Sequence, residues 1–348
     1  MSCAPIEFVV PEGIDDPARP SGGNRYDRRV IESLTAIGRT VREHPVAEPA
    51  DLGPLLAGLP EGAPVVVDGL LGSAAPDALA SAAERLCVVV LLHMPFAEAT
   101  SEPSVRRAER AALDAARLVV TTSEWTRDWV VRHHRVRPER VRVAAPGVDP
   151  AMVTWAFPPG SRLLCLAAVT VAKGHDTLVE ALGQVADLDW YCTCVGALDI
   201  EPDFVAGLRE TTVRSGIADR VELVGPLVGE PLEFLLASTD LLVSASRRES
   251  YGMAVTEALA HAVPVVATDV GGHREALGLP PGGVLVPPDD PDLLAAALRS
   301  WLTDRDERKL LRTAALRRRS ALGTWGETAR LLTEAVDAAA MNPIGVSR

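Results

Sequence analysis

The sequence has few aromatic residues, no excess of basic charge and no long apolar run. Only 4% of its 348 residues are aromatic, so Ala, Leu and Val must fill most of the interior. The formal net charge of −12 argues against nucleic acid as a main partner, because nucleic-acid binders neutralise phosphates with a basic surface. The apolar runs are shorter than the ~20 residues of a membrane span, and the start MSCAPIEFVVPEG lacks the features of a signal peptide. We therefore predict a cytoplasmic protein, which can also be peripheral to the inner face of the membrane.

Cysteine is also scarce, and its pattern excludes a disulfide framework. There are five cysteines, an odd number, and no CxxC pair occurs. Four of them, Cys87, Cys165, Cys192 and Cys194, lie in apolar runs typical of strands. We predict free, buried thiols in a reducing compartment and no cysteine–zinc site.

The chain contains short β-branched runs that alternate with amphipathic helical stretches. Runs such as Leu86–His93 and Leu241–Ser244 are almost continuously apolar, as in strands covered on both faces of a parallel sheet. A stretch rich in Pro and Gly over 146–160 interrupts the pattern, which then starts again, and we place a linker near Trp155–Ser161. The prediction is an α/β protein with two Rossmann-like, doubly wound domains that face a cleft.

The strongest group of polar residues follows the apolar run Leu241–Ser244. Glu249 lies in the predicted strand-to-helix loop, and Glu257 lies about one turn into the next helix. Such a loop presents backbone N–H groups at a helix N-terminus, which is a natural phosphate site. A carboxylate can accept from both hydroxyls of a ribose, so we assign Glu257 to a ribose and Glu249 to a sugar across the phosphate. The alternative is that both are ordinary solvated charges.

Segment Ser246–Glu257 closely resembles the C-terminal domain of family 4 glycosyltransferases. The resemblance continues through the next strand into Asp269-Val-Gly-Gly272, and it covers most of the chain, most strongly from about residue 140 to 300. Members are retaining enzymes of the GT-B fold. The resemblance implies domains at 1–157 for the acceptor and 158–324 for the nucleotide sugar. It also implies a C-terminal helix and tail at 325–348, with the helix crossing back to the N-terminal domain.

The same resemblance assigns the donor-binding residues. Lys173, in a segment similar to the family's phosphate-contacting loop, would be a point charge for the diphosphate and a catalytic residue with Glu249 and His93. The remaining donor residues are small or present backbone groups: Gly22, Gly23, Gly225, Pro226, Leu227, Ser250, Tyr251, Gly252 and Met253, together with Glu257.

One position departs from the family pattern. Members usually carry an Arg five residues before the Lys, and here that residue is Ala168. Loss of a charge-assisted hydrogen bond costs about 1.5–3 kcal/mol, so the affinity for the donor, the identity of the donor or the activity itself can differ. Arg247 and Arg248 are candidates to replace the missing charge.

In the N-terminal half, Gly22 and Gly23 follow the first strand and resemble the family's Gly-rich loop. His93 ends the strand Leu86–His93, where the family has a His that contacts the transferred sugar. Asn24, Tyr26 and Asp68 are predicted to contact the acceptor, and Asn24 is also expected to cap the following helix.

The resemblance implies a retaining glycosyltransferase of bacterial type. It would move a hexosyl or N-acetylhexosaminyl group from a UDP- or GDP-linked sugar to a hydroxyl on a small-molecule, glycan or lipid acceptor. We expect no metal and no cofactor beyond the nucleotide sugar, and a monomer or homodimer. Two alternatives stay open: a nucleotide-sugar-binding protein with little catalytic activity, and a nucleotide-sugar 2-epimerase of the same fold.

Overall fold

The computed structural model describes residues 4–154 and 160–341. These form two compact units, which are treated separately below. Among the described residues, unit 1 comprises 4–15, 22–147 and 323–341, and unit 2 comprises 16–21, 148–154 and 160–322. Most of the predicted linker Trp155–Ser161 lies outside the described residues, and the predicted domain bounds stay predictions.

Unit 1 contains a six-stranded parallel sheet in the order β2-β1-β3-β4-β5-β6. Its strands are β1 (Ile6–Pro11), β2 (Val41–Val46), β3 (Pro64–Asp68), β4 (Cys87–Leu92), β5 (Leu118–Thr121) and β6 (Val141–Val143). The central strands β3, β4 and β5 are buried along their whole length, which explains their unbroken apolar sequences.

The helices of unit 1 cover this sheet. They are α1 (Gly22–Ala36), α2 (Leu52–Gly58), α3 (Gly69–Ala74), α4 (Pro76–Ala83), α5 (Phe96–Ala99), α6 (Pro103–Ala115), α7 (Glu124–His134) and α15 (Trp325–Met341). The last helix of the described chain packs on α1, and the side chain of Arg39 binds both carboxylate oxygens of Asp337 at 2.9 Å. The C-terminal helix therefore completes the unit in which the chain begins.

Unit 2 repeats the design with a six-stranded parallel sheet in the order β12-β11-β10-β7-β8-β9. Its strands are β7 (Arg162–Leu166), β8 (Tyr191–Val195), β9 (Val221–Gly225), β10 (Leu241–Ser244), β11 (Val265–Thr268) and β12 (Gly283–Val286). Its helices are α8 (His175–Gln184), α9 (Pro202–Arg214), α10 (Glu230–Ser238), α11 (Met253–Ala260), α12 (His273–Leu277), α13 (Pro291–Thr303) and α14 (Arg305–Arg319).

Each sheet has one point where the strand order reverses direction. In unit 1 the chain leaves β1 for β2 on one side and returns to β3 on the other. In unit 2 the first strand, β7, lies between β8 and β10. Ligands of open parallel sheets bind beyond the carboxyl ends of the strands at such a reversal, so two places are marked before any side chain is considered.

The α/β class and both doubly wound sheets are confirmed, with differences at the element ends. Asn24 was expected to cap the first helix, but α1 begins at Gly22, so Asn24 lies inside its first turn and the expected cap is wrong. Helices α2 to α5 and α10 were not predicted; four of these five have fewer than nine residues, too few for a clear helical period.

Two composition-based predictions can be compared with the structure. Cys87, Cys165, Cys192 and Cys194 are free and buried, as predicted, while Cys3 lies outside the described residues. Within the described part of the chain, no helix is both long and apolar enough to cross a membrane. The cellular location stays a prediction.

Candidate active-site residues

In unit 2, the loops after β7 and β10 touch at the point where the strand order reverses. Gly174 has φ +66°, and a Cβ there would overlap the carbonyl oxygen of Ala245. The backbone N–H of Arg247 donates to the carbonyl of Ala172 at 2.9 Å. Only glycine tolerates both this backbone angle and this close approach, so Gly174 holds the two loops together.

This contact brings Lys173 and Glu249 together across 76 residues of sequence. The ammonium Nζ of Lys173 lies 2.6 Å from Oε2 of Glu249. Burial acts to raise the pKa of Glu249, but the charges of Lys173 and His273 outweigh it and hold that pKa below its ordinary value. Two residues assigned to the donor from sequence thus form one ion pair at the β7–β10 reversal.

The double glycine after β11 supports the backbone of Glu249. The N–H of Gly272 donates to the carbonyl of Glu249 at 3.0 Å. A Cβ on Gly271 would overlap that same carbonyl oxygen, so the close approach requires glycine. The two glycines therefore fix the backbone position of Glu249.

His273 is a neighbour of this loop that sequence reasoning did not single out. Its ring is fully buried, with Nδ1 2.8 Å from the carbonyl oxygen of Thr268 and Nε2 3.3 Å from Oγ of Ser244. Burial lowers the pKa of His273, against the opposing charge of Glu249. Its position directly after the double glycine was the only available signal, and that signal did not distinguish packing from function.

The donor residues 250–253 lead into α11. Gly252, at φ +102°, turns the chain, and the helix then runs from Met253 to Ala260. Its first N–H groups have no partners within the helix and carry partial positive charge, which suits a phosphate. Glu257 is half-buried and lies in the second turn of the same helix. Along the chain, the carboxylate of Glu249 thus comes first, the N-terminus of α11 second and the carboxylate of Glu257 third.

The structure distinguishes the two arginines considered for the missing charge. Arg247 binds both carboxylate oxygens of Asp176, at 2.8 and 2.9 Å, and also pairs with Asp289. It is therefore committed to holding its loop. Arg248 is half-buried, and no residue in 4–154 or 160–341 forms an ion pair or hydrogen bond with its side chain. Arg248, rather than Arg247, has an uncommitted charge beside Glu249.

The predicted base-binding loop lies at the same edge of the unit 2 sheet. Gly225 ends β9 at φ +88°, and its carbonyl accepts from the N–H of Gly196 at 2.9 Å. Pro226 and Leu227 follow and are half-buried. Because β9 is an edge strand two places from β7, these residues share the carboxyl edge of the sheet with Lys173, with β8 between the two strands.

In unit 1, three side chains meet beyond the β1–β3 reversal: the last residue of β3, the residue that follows β4, and a residue of α1. Nε2 of His93 lies 2.9 Å from Oδ1 of Asp27 and 3.3 Å from Oδ2 of Asp68. A Cβ on Gly23 would come within 3.3 Å of the His93 ring, which is tighter than usual. Both carboxylates are buried and the His93 side chain is 18% exposed. We call these three side chains the Asp–His–Asp cluster.

Charges within the Asp–His–Asp cluster are strongly coupled. Burial raises the pKa of Asp27 to about 6. Burial alone would lower the pKa of His93, but the two carboxylates outweigh it and raise that pKa to about 10. Burial likewise opposes ionisation of Asp68, yet its hydrogen bond to His93 holds the pKa of Asp68 below the ordinary value. The three pKa shifts are consistent with one another. The charge of His93 keeps the pKa of Asp68 below its ordinary value, whereas burial still raises the pKa of Asp27.

The Asp–His–Asp cluster also has the residue types of a metal site. Among the described residues it is the one group of three such side chains whose ligand atoms all lie within 4.8 Å of one another. The same distances fit a hydrogen-bonded ion cluster, since Nε2 lies within donor range of both carboxylates. The expected absence of a metal stays a prediction.

Two of the predicted acceptor residues, Tyr26 and Asn24, lie in the first half of α1. Tyr26 is 1% exposed, its hydroxyl donates to the carbonyl of Ala144 at 2.8 Å, and its ring packs edge-on against His93. Tyr26 therefore packs against the ring of His93 inside unit 1. Asn24 lies half-buried in the first turn of α1, close in sequence to the cluster. Contact of either residue with an acceptor stays a prediction.

Glu109 is a further buried residue that sequence reasoning missed. Its carboxylate accepts from the N–H groups of Phe96 and Ala97 at 2.6 and 3.1 Å, and lies 2.7 Å from Nε2 of His134. It therefore fixes the turn that follows His93. No sequence signal distinguished this Glu from the other charges of α6, because its partners are distant in sequence.

Two family models match the chain, one in each half. Residues 17–152 match the model described as Glycosyltransferase Family 4. Residues 160–304 match the model described as Glycosyl transferases group 1. The second match includes Lys173, Glu249 and Glu257, and the first includes the Asp–His–Asp cluster.

Curated relatives share about a third of the aligned residues. A D-inositol 3-phosphate glycosyltransferase of Paenarthrobacter aurescens is 31% identical over 256 residues, covering 68% of this chain and 62% of the relative. One from Corynebacterium diphtheriae is 29% identical over 282 residues, covering 76% and 66%. One from Jonesia denitrificans is 32% identical over 212 residues, covering 55% and 50%. The chain thus spans between half and two thirds of these relatives.

Solved structures resemble the chain over nearly its whole length. Sucrose-phosphate synthase from Thermosynechococcus elongatus has a TM-score of 0.80 at 20% identity, covering 97% of this chain and 99% of that one. A glycosyltransferase from Rickettsia africae has a TM-score of 0.78 at 19% identity, covering 98% and 100%. Anabaena Alr3699/HepE in complex with UDP-glucose has a TM-score of 0.77 at 20% identity, covering 97% and 100%. At these identities the likeness concerns the fold.

Proposed function

Because this chain belongs to the family 4 glycosyltransferases of the GT-B fold, we propose that it is a retaining glycosyltransferase. It transfers a hexose-type sugar from a UDP- or GDP-linked donor to a hydroxyl acceptor. The observation that carries the proposal is the Lys173–Glu249 pair, 2.6 Å apart, beside the N-terminus of α11 at a strand-order reversal. Cation, carboxylate and helix N-terminus are the groups that a nucleoside diphosphate sugar requires.

In this proposal the leaving diphosphate is stabilised by fixed positive groups. Lys173 supplies a point charge and the first turn of α11 supplies N–H donors, each directed at charge that develops as the sugar departs. Arg248 supplies the charge that Ala168 lacks. Since Lys173 is already bound to Glu249, the arriving phosphate shares or displaces that contact, and Glu249 is then released toward sugar hydroxyls.

The proposed chemistry needs no protein nucleophile. Glu249 is the carboxylate nearest the proposed phosphate site, and its pairing with Lys173 makes it a poor attacking group. We propose that the acceptor hydroxyl attacks the face that the diphosphate leaves, and that the departing phosphate oxygen takes the proton. The anomeric configuration is then retained. His93 contacts the transferred sugar, and Glu257 holds the ribose.

Donor and acceptor classes can be ranked for testing. UDP-glucose is the first donor to test, because a structural neighbour was solved with it. Inositol phosphates are natural first acceptors, because the curated relatives are named for D-inositol 3-phosphate. Neutral sugars and lipid-linked acceptors complete the panel.

A thermal-shift screen with UDP, GDP, ADP and their sugars tests donor binding, since a ligand of the native state raises apparent stability. Product NMR with the best donor then tests the reaction. We expect one nucleoside diphosphate to raise Tm and the product to keep the donor's anomeric configuration. An inverted product would contradict the mechanism, and no shift with any nucleotide would contradict the function.

Ala168 specifically favours a second candidate, a nucleotide-sugar-binding protein with little catalysis. The missing arginine removes one stabilising contact for the leaving group. This candidate predicts a clear donor-induced shift with neither hydrolysis nor transfer across the acceptor panel, whereas the glycosyltransferase predicts turnover with at least one acceptor.

A further inference from the structure

The ring of His93 is held on several sides within unit 1. Gly23 packs against its Cδ2 edge, and Tyr26 lies edge-on with ring centroids 5.1 Å apart. The backbone carbonyl of His93 accepts from Oγ1 of Thr122 at 3.2 Å. The hydrogen bond from Thr122 fixes the backbone of His93, and the contacts with Gly23 and Tyr26 limit rotation of its ring.

Nε2 of His93 is fully used by protein groups. It faces Oδ1 of Asp27 and Oδ2 of Asp68, and both are acceptors when ionised. Nε2 must therefore carry a hydrogen and donate it. Nδ1 differs, because no residue in the described part of the chain bonds to it and 18% of the side chain is exposed. Nδ1 is the atom that can meet a ligand.

In the described structure His93 is the cationic partner of Asp27, and Asp68 lies beside them. The side chain of Asp27 is fully buried, its Oδ1 faces His93, and its Oδ2 has no hydrogen-bond partner. Asp68, by contrast, also accepts from the N–H of Leu70 at 2.6 Å and so caps α3. Burying a carboxylate with a single partner is costly, so the contact between Asp27 and His93 must provide something that packing does not.

We propose that Asp27 is a positioning residue that keeps His93 permanently cationic, so that His93 offers the substrate a single fixed donor, Nδ1–H. Each ionised carboxylate beside an imidazole favours the imidazolium, and Nε2 of His93 faces two of them, at 2.9 and 3.3 Å. The two carboxylates are the charged groups that face the ring, from α1 and from the end of β3.

Two consequences follow for the reaction. A cationic His93 cannot accept a proton, so it does not serve as the base for the acceptor hydroxyl. It donates instead to an oxygen with a free lone pair, such as a hydroxyl of the transferred sugar. This inference rests on the proposed role of His93 in sugar transfer.

The first test measures His93 directly and needs no substrate. NMR titration of ring-labelled histidine from pH 6 to 9, assigned by comparison with His93→Gln, follows its protonation. We expect His93 to remain imidazolium across this range in the wild type and to titrate within it in Asp27→Asn. Ordinary titration in the wild type, or no difference in Asp27→Asn, would overturn the proposal even if the enzyme proved active.

The second test asks whether the charge matters for turnover. Between pH 6 and 9, deprotonation of His93 should not lower the kcat of the wild type. In Asp27→Asn, kcat should fall about tenfold for each pH unit above the new pKa of His93. A pH-independent loss of kcat in Asp27→Asn would mean a merely structural role and would overturn the proposal. If the wild type transfers no sugar while the titration behaves as expected, the proposed function fails and the assignment of Asp27 stands.

The matched control is Glu7→Gln. Glu7 is also buried on the unit 1 sheet, and its carboxylate lies 2.6 Å from Nε2 of a histidine, His44. The substitution Glu7→Gln therefore removes a comparable carboxylate–imidazole contact. It should leave the His93 titration unchanged, and a changed titration would count against the specific role of Asp27. Mn²⁺ serves as a further probe: selective broadening of the His93 signal in wild type but not in Asp27→Asn would mean a metal site and would also overturn the proposal.

Discussion

At the residue scale, the two glutamates that led the sequence argument have different surroundings. Glu249 forms an ion pair with Lys173 and lies under the double glycine, whereas Glu257 is half-buried on α11. The spacing in the sequence predicted that both flank a phosphate site. It did not predict that Glu249 is bound to the very lysine assigned to that phosphate.

Replacing each glutamate should therefore affect a different step. We expect Glu257→Ala to weaken nucleotide binding about tenfold, since it removes hydrogen bonds to a ribose worth roughly 1.5 kcal/mol. Glu249→Ala should mainly lower kcat. Calorimetry with the nucleoside diphosphate measures the first effect and initial rates the second. Unchanged nucleotide affinity in Glu257→Ala would remove the ribose assignment.

The missing arginine gives a prediction in the opposite direction. Ala168→Arg should tighten binding of the nucleoside diphosphate by about tenfold, because a charge-assisted hydrogen bond contributes roughly 1.5 kcal/mol. Arg248→Ala should weaken binding by a similar factor. Titration calorimetry of both variants at two salt concentrations measures these changes.

Arg247→Lys is not a suitable control for that experiment, because Arg247 holds Asp176 and Asp289. Arg214, on the last turn of α9, is exposed, and among the described residues its side chain donates to its neighbour Thr211, so Arg214→Ala is the matched control. If Arg248→Ala binds the diphosphate like this control, Arg248 does not supply the missing charge.

At the element scale, both predicted ligand sites depend on loops rather than on strands. In unit 2, the loops after β7, β10 and β11 are joined by backbone hydrogen bonds and by glycines that approach a neighbouring backbone. In unit 1, the turn after β4 is fixed by the carboxylate of Glu109. The strands set where each loop begins, and these contacts set where each side chain ends.

Two glycines with the same backbone angle allow the cost of a close contact to be measured apart from the cost of backbone strain. Gly174 and Gly216 both have φ +66°, but a Cβ on Gly174 would overlap Ala245 whereas a Cβ on Gly216 meets nothing within 4 Å. Gly216→Ala should cost about 1–2 kcal/mol from the backbone alone. Gly174→Ala should cost a further ~1–3 kcal/mol through overpacking and should weaken nucleotide binding. Chemical denaturation measures the loss of stability in both variants, and calorimetry measures nucleotide binding. An equal loss of stability in Gly174→Ala and Gly216→Ala would contradict the role of Gly174.

At the scale of the whole molecule, buried charge links stability to pH. The pKa of His93 is raised to about 10, above its ordinary 6.5, so its contribution is fully present below about pH 6.5 and is lost as pH rises through 10. We expect the difference in Tm between wild type and His93→Gln to shrink from pH 6.5 to 10. Thermal denaturation over this range measures it, and a constant difference would contradict the charged state of His93.

Much of this architecture could be predicted from the sequence. The apolar runs Leu86–His93 and Leu241–Ser244 contain strands β4 and β10, because a strand buried on both faces carries its signal locally as an apolar run. The short helices α2 to α5 were missed, since so few turns show no period. Asn24 was wrongly predicted to cap α1, because the preceding Gly22 and Gly23 were read as loop although they are helical.

The sequence by itself determined the α/β class, the two repeated sheets and the family, because each depends on local pattern or on short motifs such as Glu249 to Glu257. Tertiary structure alone decided which charges meet. It paired Lys173 with Glu249, committed Arg247 and not Arg248, and placed Asp27 against His93, 66 residues away. The positions of charged side chains in a sequence show no periodic pattern that identifies their partners. Which charges meet depends on which strands become neighbours in the sheet.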